Sequence, residues 1–369
     1  LIFRLTPGAA SAAILAAAVL AVGAVGGVPE ASATPPQPQT AQSPLLEQMR
    51  AEARTVMTAA AAAGRAAEAF ETYDRFYASV RTHDAALLAL LAKAVLTEAS
   101  GDPTSLARIP ALERLARAGD ARARGSLDAA AGGRNTLMPA GIEADSALAR
   151  LGDAQAVDRL IQRLADETLR DKGQIIGGLT EAGAKRSASA IVPFVSDENP
   201  TNRLSAVQAL ARLGSREQVP ALGAAFEAER HAGMRQTMAM ALHSLGSDAG
   251  DALLAEIASS RIPEVRLMVL EAYFAAKSPA WTGLARQLLR SSSESARLRA
   301  ASMLGLTDAD AAREITQAAS SASVATREVG ARLLEAAGSR DLALLLKLMR
   351  DPSPIVRIHA AGAALAAAR

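Results

Sequence analysis

The chain has 369 residues, half of them hydrophobic but only 3% aromatic, and its 40 basic and 38 acidic side chains leave a formal net charge of +2. Alanine and leucine supply most of the apolar count, a mix that favours thin, closely packed helices over a sheet. The charge balance gives no long-range pull toward nucleic acid. The absence of cysteine excludes disulfides, thiolate nucleophiles and cysteine-ligated metal.

Arg4 precedes an apolar run from Ala9 to Val28, and Ala31-Ser32-Ala33 has the small-x-small pattern of a signal-peptidase site. Residues 1–33 are therefore predicted to be a signal peptide cleaved after Ala33, giving a periplasmic or secreted protein. The other reading is an uncleaved inner-membrane anchor, since about 20 residues span a bilayer, but Gly23, Gly26 and Gly27 make the run a poor one. Pro35, Pro36, Pro38 and Pro44 predict an extended linker over residues 34–44. Residues 45–100 read as an N-terminal helical cap. Gly64, Arg65, Glu68, Ala69 and Tyr73 resemble part of a tetratricopeptide hairpin, and Leu87, Leu88, Leu91, Val95 and Leu96 continue as an apolar helix expected to close the first repeat.

From residue 101 onward the sequence repeats. Arg108, Gly141, Lys172, Arg203, Arg235, Arg266, Arg297, Arg327 and Arg357 recur at intervals of 30 to 33 residues, a spacing that marks a helical-repeat array. Six residues before these anchors stand Asp102, Asn135, Asp166, Asp197, Glu229, Ser260, Ser291, Ser321 and Asp351, mostly short polar residues that cap a helix or close a turn. Three and seven residues after each anchor the chain is apolar or small, as at Ala206 and Leu210 or Met238 and Leu242, one helical turn apart on a shared face. Eleven after, Gly119, Gly152, Gly183, Gly214, Gly246 and Gly338 predict the end of each first helix. Pro200, Pro263 and Pro354, each three before an anchor, suit a first helical turn.

A second helix follows each stop, as in Val157, Leu160, Ile161 and Leu164. Each unit is then a pair of helices of about 31 residues that buries its apolar face only against its neighbours. About nine such units, stacked as a curved rod, make up residues 101–369. The ninth unit shows a first helix, residues 355–367, with no second helix after it.

Segments such as 197–227, with Arg203, Ala206, Leu210 and Gly214 in phase, resemble HEAT repeats of the short bacterial type also found in phycobilisome lyase subunits. The resemblance implies an all-α, right-handed α-α superhelical solenoid. It also implies that the anchor arginines and the acidic residues before them bridge neighbouring repeats as a ladder. It covers roughly seven-tenths of the chain and is specific for fold rather than function.

No chemistry stands out beside this architecture. His83, His231, His243 and His359 lack metal-ligand spacing, and phosphate-loop and serine-nucleophile motifs are missing. Catalytic, cofactor-binding and metal residues are therefore predicted to be none, with no cofactor and no binding residue assigned. Met234, Met238 and Met240 read as core filler, and Trp281, the one tryptophan, as packing more than as a binding hot spot. The expected function is an exported scaffold, not an enzyme, that binds a protein or peptide partner. Binding is expected on a concave surface built from second helices, such as residues 155–163, 216–227 and 280–290, with no nucleic acid and no membrane contact beyond the N-terminal segment. The alternatives are chromophore attachment of the phycobilin-lyase kind and nucleic-acid binding, both disfavoured by the predicted export and by the composition.

Overall fold

The computed structural model describes residues 44–132, 139–169 and 172–369; the predicted signal peptide and the linker up to residue 43 lie outside them. Among the described residues there are twenty α-helices, short 3-10 turns and no strand. Helices α1 (Pro44–Ala63), α2 (Ala66–Val80) and α3 (Ala85–Gly101) come first. The first helices of the repeats are then α4 (Arg108–Arg117), α6 (Pro139–Arg150), α8 (Gly173–Glu181), α10 (Pro200–Leu213), α12 (Ala232–Ser244), α14 (Pro263–Ala275), α16 (Glu294–Leu304), α18 (Val324–Ala336) and α20 (Pro354–Ala367). Between them run the second helices: α5 (Ala121–Ala131), α7 (Ala154–Leu164), α9 (Ala188–Ile191, flanked by 3-10 turns), α11 (Val219–Ala228), α13 (Asp251–Ala258), α15 (Trp281–Leu288), α17 (Ala309–Ala319) and α19 (Leu342–Leu348).

The two apolar columns of the sequence make the core. All nine residues three after the anchors are buried, from Ala111 to Ala360, Gly330 among them. Seven residues after, Leu115, Leu148, Leu179, Leu210, Leu242, Leu334 and Ala364 are buried, and Tyr273 and Leu304 are half-buried. At Gly330 an added Cβ would come within 2.2 Å of the Ala319 backbone nitrogen, so α17 and α18 approach more closely than any side chain permits.

Where a curved rod with free ends was expected, the array closes into a ring. The last helix, α20, packs along α3, and α3 packs along α4. Helix α3 thus stands between the first helices of the ninth and first units, as α17 stands between α16 and α18. The near-uniform apolar content of α3 follows. Leu87, Leu88, Leu91 and Leu96 are fully buried because α1 and α2 cover it on one side and α4 and α20 on the other.

Curvature also reverses the expected roles of the two helix sets. Successive first helices pack on one another through most of the ring, whereas α13, α15, α17 and α19 make no substantial contact among themselves. In a closed ring the crowded layer is the one at smaller radius. The arginine-bearing first helices therefore form the inner wall, and segments 155–163, 216–227 and 280–290 lie on the outer one.

The repeat punctuation resolves into two separate devices. In eight of the nine units, the ninth (Asn135) being outside the described residues, the side chain six before the anchor accepts the backbone N–H two residues on; examples are Asp197 from Asn199 at 2.8 Å and Ser321 from Ser323 at 3.2 Å. These residues close turns. The helix caps lie two positions later, at Asn199, His231, Ser293, Ser323 and Ser353, so Ser291 is a turn residue and Ser293 the cap. Pro200, Pro263 and Pro354 each occupy the first helical position.

At the other end of the first helices, Gly119, Gly152, Gly183, Gly246 and Gly338 are left-handed, and Lys277 takes the same conformation in the same column with φ of 55°. Gly214 differs, with φ of −70°, because its chain turns directly into a 3-10 segment.

Two kinds of substitution test this account by chemical denaturation. Leu210→Ala and Leu242→Ala, both fully buried, each lose about 2 to 5 kcal/mol. Lys277→Gly gains about 0.5 to 1 kcal/mol by removing a left-handed side-chain residue.

Candidate functional site

The anchor side chains turn away from partners and toward their own backbone. Arg203, Arg235, Arg297, Arg327 and Arg357 each donate from Nη1 to the carbonyl six residues earlier, at 2.8 to 3.2 Å, and Lys172 Nζ does the same to Asp166. Two of them also reach forward to the acidic turn residue of the next unit: Arg203 to Glu229 at 3.3 Å and Arg327 to Asp351 at 2.7 Å. Arg297 pairs instead with Glu314 on α17 at 2.8 Å. The ladder implied by the family resemblance is therefore built mainly from carbonyl contacts within a unit, with ion pairs between units at only some joints.

A second set of charges lines the inner wall, and sequence reasoning missed it. Residues two, five and nine after the anchors share the helix face that looks into the lumen. At the ends of α4, α6 and α8, Arg150 pairs with Glu113 at 2.7 Å and with Glu181 at 2.6 Å, and Arg117 pairs with Glu113 at 2.5 Å. Burial opposes the charge on Arg150, but the two carboxylates more than offset it and hold its pKa above the usual arginine value. Farther round, Arg299 on α16 pairs with Glu271 on α14 at 2.7 Å. Arg212 on α10 is reached by water, yet desolvation by the surrounding protein and then the positive charge of Arg299 lower its pKa. Helices α10 and α16 are three units apart in the ring, so the charge of one inner-wall arginine is felt by another beyond its neighbouring units. The signal for this belt was present as a third in-phase column, mixed in charge and so invisible to a search for conserved residue type.

The ring seam holds the most enclosed charges. Arg114 on α4 donates to Glu335 on α18 through Nε at 2.8 Å and Nη2 at 2.6 Å, passing over α20. His359 on α20 completes the group, its Nδ1 lying 2.6 Å from Glu335 Oε2 and 2.7 Å from Arg114 Nη2. Burial works against the Glu335 charge, but Arg114 and His359 bring its pKa down to about 2.

A separate charged group lies inside the second unit. Asp145 is fully buried, four after its anchor, where every other unit has an aliphatic residue such as Ile176 or Leu270. Arg163 meets it at 2.9 Å and Arg159 at 2.8 Å, both from α7. Desolvation nonetheless raises the Asp145 pKa from its ordinary value despite the two guanidiniums.

The remaining sequence candidates are structural. His83 accepts or donates with the Tyr73 hydroxyl at 3.0 Å and stacks on Tyr77, His231 caps α12, and His243 meets Asp251 at 2.9 Å. Met234, Met238 and Met240 are buried in the core. Trp281 is half-buried and meets the exposed Phe274 edge-on at 5.1 Å. Among the described residues no group of side chains could hold a metal ion, and no helix is long and apolar enough to cross a membrane.

Residues 169–243, which take in α8 to α11 and nearly all of α12, match the family description HEAT repeats. That stretch of the ring is similar to HEAT repeats. Among solved structures, one similar to this chain is the complex of CpcE and CpcF of phycocyanin lyase from Nostoc sp. PCC7120, at 16% identity and a TM-score of 0.41, over 66% of this chain and 94% of that one. No curated protein sequence matches the chain.

The Asp145 group has a clear energetic signature. Asp145→Ala, which strands Arg163 in the core, costs about 3 to 5 kcal/mol, whereas the double substitution Asp145→Leu, Arg163→Met is neutral or stabilising by about 1 to 4 kcal/mol. Unfolding in urea distinguishes the two.

Proposed function

We propose that the protein is an exported scaffold of HEAT repeats that holds an extended protein or peptide segment against its concave wall and has no catalytic activity of its own. The observation that carries this reading is a set of solvent-exposed polar side chains on the inner helices: Gln174 on α8, Gln208 and Arg212 on α10, and Glu271 on α14. Amide, guanidinium and carboxylate groups at one-turn spacing offer both donors and acceptors to a peptide backbone. The concave surface expected from sequence is thus retained, but the first helices build it. The second helices, at the outer circumference, serve as its frame.

Acidic and basic side chains both line the wall, and none of the residues two, five or nine after an anchor is phenylalanine, tyrosine or tryptophan. Such a lining repels a phosphate backbone as often as it attracts it and gives bases nothing to stack on. The charges of the belt and of the seam hold one another, the arrangement of a structural lining and not of an acid and base kept apart for catalysis.

Capture from the cell envelope with the full chain as bait tests the reading. The mature bait begins at Thr34. The double substitution Gln208→Ala, Arg212→Ala lowers recovery of a specific protein partner by about tenfold or more with the melting temperature unchanged, while Arg286→Ala on the outer wall leaves recovery as it was. Equal recovery with all three baits overturns the concave-wall assignment.

A further inference from the structure

The ring has one joint that the chain does not make by covalent succession, the seam where α20 meets α3 and α4. On its lumen side stands the group of Arg114, Glu335 and His359, with side chains only 11%, 16% and 12% exposed. Gly362 makes room for it. A Cβ there would come within 2.0 Å of Glu335 Oε1 and 2.9 Å of Arg114 Nε, so the ion pair crosses α20 only because that position has no side chain.

His359 Nδ1 has two partners with opposite demands. Arg114 can only donate a hydrogen bond and Glu335 can only accept one, yet the same nitrogen lies within 2.7 Å of both. A bare Nδ1 accepts from Arg114 and ties α20 to α4. The neutral ring can keep Nδ1 bare by carrying its proton on Nε2, whereas the imidazolium has an N–H on both nitrogens; its Nδ1 then donates to Glu335 and turns an N–H against the guanidinium, which releases α20 from α4 and leaves it on α18. We infer that His359 is a pH-operated clasp on the ring seam: neutral, it holds the solenoid closed, and protonated, it frees the joint between the first and last repeats.

The surrounding charges set the direction of the response. Facing His359 are Arg114 from α4, Glu335 and Arg332 from α18. The other titratable groups of the packed helices are engaged elsewhere: Lys93 and Glu98 of α3 with Asp120 and the Ala66 N–H, Glu113 and Arg117 of α4 with each other, Glu328 of α18 with Ser353, and Arg357 of α20 with the Asp351 carbonyl. On α19, Lys347 points to solvent and Asp341 caps its own helix. Burial of the imidazole, followed by the two guanidiniums, outweighs the Glu335 carboxylate and lowers the His359 pKa. With a depressed folded-state value, the unfolded chain binds the proton first. Stability of the closed seam is complete above about pH 6.5 and falls as pH drops from there through the folded value. Glu335, with a pKa of about 2, stays ionised throughout. Outside the ring, Arg350 meets Asp74 of α2 at 2.5 Å and lies over Phe70, so release of the clasp loosens the lumen side of the seam first.

The chain has no cysteine, so two spin labels at Ala118→Cys and Ala366→Cys, exposed positions at the ends of α4 and α20, report its opening in the full-length protein. Between about pH 8 and pH 4.5 the label separation lengthens by roughly 5 Å or more, the scale of a one-turn shift, while the far-ultraviolet circular dichroism stays helical. His359→Gln, which cannot titrate, holds one separation over the same range. Gly362→Ala is already lengthened at the upper pH; if it does not fold, the comparison with His359→Gln decides alone. A separation that does not respond to pH, or that changes equally in the His359→Gln protein, overturns the clasp.

Discussion

Helix α20 lies along α3, more than 250 residues earlier in the chain, and every other feature of the architecture takes its place from that contact. A stack of helical pairs normally ends in two exposed apolar faces that capping repeats must cover. Here the two ends cover each other. Helix α20 packs on α3 as other first helices pack on second helices, and that contact buries Leu87, Leu88 and Leu91 on one side and Ile358, Ala361 and Ala364 on the other. One continuous hydrophobic cluster consequently runs from Ala53 through Leu242 and again from Leu298 to Ala364, linked through the seam. It gives way only in the sector of α12 to α16, where Val269 and Leu270 belong to two smaller clusters. That sector is the thinnest part of the ring.

Closure has a geometric cost that the inner wall meets with small residues. Nine first helices share the short circumference, so their contacts use alanine and glycine: Ala206, Ala300 and Ala360 in one column, and Gly178, where a Cβ would come within 2.1 Å of Ser146 Oγ. The outer helices have more room, and α13, α15, α17 and α19 make no substantial contact with one another. The same crowding concentrates charge. Carboxylates and guanidiniums that would be independent on a convex surface are held within ion-pair distance on the concave one, as Glu113, Arg150 and Glu181 are. The charges of the lumen are therefore largely compensated by one another.

Not all of the buried charge follows from closure. The Asp145 group sits within a single unit, in a column that is otherwise aliphatic, and its two arginines come from the helix next in sequence. It marks the second unit as different from its neighbours in the way a buried polar group marks register in a repetitive core, where identical units would otherwise be free to pack out of order.

The period, the helical pairs, the buried columns at three and seven after each anchor, and the turn before it were all legible in the sequence, because each depends on residues within about two helical turns of one another. The arginine contacts were half legible. Their phase was clear, but a guanidinium bonded to a carbonyl six residues back leaves no trace in side-chain identity, and the acidic column suggested more ion pairs than exist. Ring closure, the exchange of inner and outer walls, and the clasp at His359 were decided by tertiary structure alone. The reason is that they depend on the rotation from one unit to the next, here about one-ninth of a turn, which is a sum of small packing differences at every interface. No single residue encodes that sum, and only when it reaches a full circle do Arg114, Glu335 and His359 come to lie together.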